Sequence, residues 1–113
     1  MVAINQAHRA LVARILGGEG KASHAQRRAG FDNAGLTDPL SALIDKVARH
    51  AYKITDEDIA GAKASGLSED EIFEIVVCGA IGQATRQYET ALAALKAASE
   101  KEQHAPRDSR WRP

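Results

Sequence analysis

Few residues of this chain can do covalent or proton-transfer chemistry. Its single cysteine, Cys78, lies between Val77 and Gly79 in the apolar run "IFEIVVCGAIGQA". A thiol attacks a peroxide only as the thiolate, and a second thiol or a reductant must then resolve the product. Two readings stay open: a small buried hydrophobe with a raised pKa, or a one-cysteine peroxidase or intermolecular link. No resolving thiol and no basic neighbour in sequence accompanies it. Asp58 is the third acid of "TDED". It is either a charge favoured in the first turn of a helix or a proton acceptor working with Tyr52 or His50. His50 follows Asp45 by five positions, so the two share no helix face well. His8, His24 and His50 show neither HxxxH nor HExxH spacing, so no metal site and no cofactor signature is read.

Three further groups can bind without reacting. Gln83, Arg86, Gln87 and Tyr88 form a polar patch next to the apolar run. Arg86 can grip an anion by a two-pronged hydrogen bond or pair with an acid across a subunit interface, and the interface is the expected use. Arg27 and Arg28 of "AQRRAG" can touch an anion, although two arginines on a helix usually make a solvated face. Trp111 in "RDSRWRP" can anchor a docking peptide.

These groups need a scaffold, and the scaffold reads as helical throughout. Ala7, Ala10, Leu11, Ile15 and Leu16 make a stripe over 5–16 that "GGEG" ends. Ser23 with Gln26 spells a capping box for a second helix that stops near Gly35. Thr37-Asp38-Pro39 starts a third, with an N-cap oxygen ahead of proline, and Leu40, Leu43, Ile44, Val47 and Ala51 on one face to about Ile54. Thr55 caps a fourth that Gly66 stops. Ser68 with Glu71 is a second capping box, opening a long helix from Glu69 to about Ala98. Its first half is apolar nearly all round, which predicts central burial. Gly79 and Gly82 weaken a helix, so another helix, of this chain or of a second subunit, is expected to approach closely there.

The block "AKASGLSEDEI", following "PLSALIDKVARHAYKI", resembles the carboxymuconolactone decarboxylase and alkylhydroperoxidase D (AhpD-like) family over residues 37–95. The resemblance implies an all-α, AhpD-like helical bundle that forms oligomers. In the family's peroxidase branch a CxxC pair and a histidine precede the glycine stop. Those positions fall on Ala51, Ile54 and Asp58, and the upstream glutamate falls near Pro39. The decarboxylase branch keeps the histidine, which is also absent here. The resemblance therefore implies the fold without the chemistry: a helical oligomer that binds a small molecule or a partner subunit. The alternative is an enzyme of the family with a displaced site.

The whole composition is compatible with this. At 113 residues the chain suits one domain, expected over 1–98, with a charged, disordered tail over 99–113. Fifteen basic and fifteen acidic side chains balance, which argues against charge-driven nucleic-acid binding. One cysteine excludes an intrachain disulfide and a four-thiolate zinc site. No apolar block is long enough for a membrane span, and a cytoplasmic location is the default expectation.

Overall fold

The computed structural model describes residues 2–104, with side chains from 5 to 101. They form an all-α fold: α1 (Val2–Gly17), α2 (His24–Asp32), α3 (Leu40–Arg49), α4 (Asp56–Ala64) and α5 (Glu69–His104), with a single 3-10 turn at Ala51–Lys53. The capping boxes act as their spacing predicts. Gln26 N donates to Ser23 Oγ at 3.0 Å and Ser23 N to Gln26 Oε1 at 3.1 Å. Glu71 N donates to Ser68 Oγ at 3.1 Å and Ser68 N to Glu71 Oε1 at 2.9 Å. Each box satisfies two amides that a helix start leaves without partners.

The helix ends differ from expectation. α1 begins at Val2, ahead of Asn5, and α5 runs to His104, past Ala98 and into the tail expected from residue 99. Three further differences lie on α2 and α3. α2 stops at Asp32, ahead of Gly35, because Asn33 takes the left-handed conformation (φ 51°) and Ala34 N reaches back to Ala29 O. α3 begins at Leu40 without a side-chain cap. Pro39 is itself the N-cap, and Thr37 offers its carbonyl, not its hydroxyl, to Ser41 N. α3 also ends early: His50 (φ −146°, ψ 54°) breaks the helix, and only the 3-10 turn continues towards Ile54. Gly66 does stop α4, with φ at 106°.

α5 is the axis of the molecule. Ile72, Ile75 and Cys78 of its first half are buried, and Ile72 and Ile75 join Leu40, Leu43, Ile44, Ala22 and Ala62 in the core. The two glycines make the close approach. A Cβ at Gly82 would land on the Phe31 backbone of α2, and one at Gly79 would stand 3.1 Å from Ile44 Cγ2. The neighbour is thus in the same chain. Burial, however, covers one side only. Phe73 is 68% exposed, and Ala80 and Ala84 are exposed. Four short helices cannot surround a helix about 54 Å long.

α1 lies antiparallel on α5. Ile15 meets Cys78, His8 meets Thr85 and Asn5 meets Tyr88, one step forward for each step back. The α1-facing seam of α5 continues past these pairs. Cys78, Ile81, Thr85, Tyr88, Leu92 and Leu95 alternate in threes and fours, the spacing of a helix–helix seam. α1 begins at Val2, opposite the part of α5 just before Leu92, and Leu95 beyond it is 63% exposed. The result is an elongated body, 63 × 28 × 20 Å, with a radius of gyration of 18.8 Å, against about 13 Å for a compact domain of similar length. No helix among the described residues is long and apolar enough to cross a membrane.

Candidate functional site

Of the four residues that chemistry would draw on, the structure engages Asp58 in an ion pair, leaves His50 and Tyr52 side by side, and sets Cys78 apart. Asp58 sits at the third position of α4, where its carboxylate accepts from Thr55 N at 2.9 Å and Thr55 Oγ1 accepts from Asp58 N at 3.3 Å. Lys46 Nζ reaches both carboxylate oxygens, at 3.0 and 2.9 Å. The Lys46 bond, then the Thr55 amide, hold the Asp58 carboxyl below its usual range. A carboxylate so engaged is a poor proton acceptor. His50 and Tyr52 stand edge to face with ring centroids 6.0 Å apart, and Tyr52 is 81% exposed. Ala51 and Ile54, where the family's peroxidase branch has cysteines, begin and follow the 3-10 turn.

Cys78 lies elsewhere, on α5 under the end of α1, and is 1% exposed. Its Sγ contacts Ile15 O at 3.5 Å. Burial pushes the thiol pKa up, against the pull of Arg27 and with the push of Glu74. That is the environment of an inert cysteine.

The polar patch on α5 makes contacts within the chain. Arg86 Nη1 donates to Phe31 O at 2.6 Å, at the end of α2, and its Nη2 donates to Gln83 Oε1 at 3.2 Å. Tyr88 Oη donates to Asn5 Oδ1 at 2.8 Å and packs near His8. Arg86 thus satisfies a carbonyl that the last turn of α2 leaves free. Trp111 lies outside the described residues.

Arg28 fits the expectation of a solvated face, pairing with Asp32 at 3.1 Å. Arg27 does not. It is 4% exposed, and its Nη1 donates to Gly18 O at 2.7 Å and Ile15 O at 3.3 Å, closing the end of α1. The reason is helical phase: Arg27, Gly30 and Phe31 share one face at i, i+3 and i+4, and that face packs on α5. That spacing was the available signal. Glu74, an acid within the apolar run, holds the α1–α2 loop by accepting from Lys21 N at 2.9 Å and Ala22 N at 3.0 Å. Those two amides, with smaller help from Arg27 and Lys21, lower its pKa.

Around these two residues opens a cavity of about 530 Å³, walled by α1, the loop after it, α2 and α5. Leu11, Ile15, Phe73 and Val77 supply its apolar wall. It brings together residues that no sequence motif linked. Among the described residues no group of three or more His, Cys, Asp or Glu is arranged to hold a metal ion. Comparison with models of known families, with curated proteins and with solved structures finds no match to this chain.

Proposed function

We propose that this chain is a self-associating helical binding protein of the AhpD-like kind, without the redox or decarboxylase chemistry of that family. The observation that carries the reading is the seam of α5 that outruns α1. Leu92 and Leu95 continue the spacing by which α5 packs on α1, yet the arm that bears them extends past the start of α1. An isolated helical segment of this length is marginal in water. A second copy of the arm, running antiparallel, covers the leucines. Its flanks carry both signs of charge, Glu89 and Glu100 against Lys96 and Lys101, for the copy to match. Support for binding over catalysis comes from the engagement of Asp58 by Lys46 and the burial of Cys78.

Sedimentation velocity on the full chain tests the assembly. The expected result is a dimer or larger species that Leu95→Glu reduces to monomer. A wild-type monomer at 100 µM and above would overturn the assembly (roughly the range in which weak self-association is detected). Peroxide-consumption and lactone-decarboxylation assays on the same sample test the other half. Turnover at about 1 s⁻¹ or faster, the ordinary enzymatic range, would make the protein an enzyme with a displaced site.

A further inference from the structure

We infer that the cavity beside Arg27 binds an organic monocarboxylate with an apolar body, its carboxylate held side-on by the free edge of the guanidinium. The inference names a ligand for the binding reading above but does not depend on self-association. Arg27 is divided in its use. Nη1 is committed to the carbonyls of Ile15 and Gly18. Nε is shut off from water and has no hydrogen-bond partner among the described residues, so a ligand reaches it by displacing the side chains that cover it. Nη2 donates to no described residue. The N–H groups of Nε and Nη2 lie parallel along one edge of the planar group. That edge matches the two oxygens of a carboxylate. A buried charged donor without a partner is costly, so a ligand that supplies one gains more there than at the surface.

Glu74 is near enough to feel the charge of Arg27, but its oxygens are turned to the Lys21 and Ala22 amides. The lining sets the number of carboxylates. Arg14 and Arg27 are balanced by Glu19 and Glu74, so beyond the one unpartnered guanidinium edge the cavity offers no excess positive charge for a second carboxylate. The wall of Leu11, Ile15, Phe73 and Val77 calls for an apolar body, and the volume lies within the usual range for small-molecule sites.

The test is isothermal titration of the full chain with hexanoate, octanoate and decanoate, below their micelle concentrations, with decanol as the uncharged control. One site per chain is expected, with affinity rising roughly fourfold per added methylene and decanol at least about tenfold weaker than decanoate. Arg27→Lys keeps the charge but not the two-donor edge, and is expected to weaken decanoate about tenfold or more. Because Arg27 also closes α1, two readouts stand apart from its fold. Leu11→Glu, at a rim position 43% exposed, is expected to weaken decanoate while leaving the circular dichroism unchanged. In the unaltered protein, the Arg27 Nε–H proton resonance is expected to shift on decanoate addition and not on decanol addition. Absence of saturable decanoate binding, equal binding of decanol, or an unmoved Nε–H resonance overturns the inference. Leu95→Glu is expected to bind decanoate as the original protein does. Loss of binding in that variant places the ligand between copies and overturns this site.

Discussion

At the scale of single residues, the polar groups of this chain act mainly on backbone. Arg27 and Arg86 each satisfy carbonyls at the end of a helix other than their own, and Glu74 gathers two successive amides of a loop. Such charge-assisted bonds make stability depend on pH, and the sign follows from the direction of the shifts. The carboxyls of Asp58, Glu69 and Glu74 are all held below their ordinary values. Their contribution is therefore full above the unfolded values, near 4 to 4.5, and is lost as pH falls through the lower folded values. Glu74→Gln is expected to lower the melting temperature at pH 7 by about 5 °C, as loss of charge-assisted bonds of roughly 1 kcal/mol implies. The gap between the two proteins should narrow as pH falls below about 4.5, the ordinary glutamate range, and through the lower folded value. A constant gap from pH 7 to pH 3 would show that the Glu74 charge does not hold the loop. Cys78 gives a second check. With 1% exposure it should resist a thiol reagent at pH 8 in the folded protein and react at once in denaturant.

At the scale of elements, the tight pairing of α2 with α5 rests on glycine. Gly82 lets the two helices approach until its missing side chain faces the Phe31 backbone, and Arg86 holds the same carbonyl one turn further along α5. Gly82→Ala gains helix propensity but forces the backbones apart, with an expected net loss of about 1–3 kcal/mol in chemical denaturation. Gly61 of α4 is the contrasting case, because a Cβ there meets only Pro39 Cβ at the ordinary distance of 3.9 Å. Gly61→Ala is expected to stabilise by roughly 0.5–1 kcal/mol. If both substitutions shift stability the same way, close approach is not what Gly82 provides. The capping boxes at Ser23, Thr55 and Ser68 fix where three helices begin. This is why the small helix α4 keeps its position although it carries no reactive group.

At the scale of the whole molecule, the shape is set by the mismatch between α5 and its partners. A helix of 36 residues is packed against helices of 9 to 16, and the excess projects as an arm. If copies of this arm associate, the melting temperature must rise with protein concentration, since association stabilises the folded state by mass action. A rise of several degrees between 5 and 500 µM is expected (a hundredfold range, about 2.7 kcal/mol by mass action). Leu95→Glu should remove the concentration dependence without removing the fold. A melting temperature independent of concentration in the original protein would mean that the arm stands alone.

Local signals were legible in the sequence because they are carried by neighbours in the chain. The capping pairs, the Gly66 stop, the apolar face of α3 and the need for close approach at Gly79 and Gly82 all follow from spacings of a few residues. The all-α class follows from them. What the sequence did not settle was phase and pairing. Arg27 read as a solvated residue because its burial depends on how α2 is rotated against α5, and Arg86 read as an interface group because Phe31 is 55 positions away. The apolar first half of α5 read as enclosed, yet one side is open, because enclosure depends on how many helices the rest of the chain can bring to it. The cavity joins α1, a loop, α2 and α5, and such a site exists only once long-range packing has brought those four segments together.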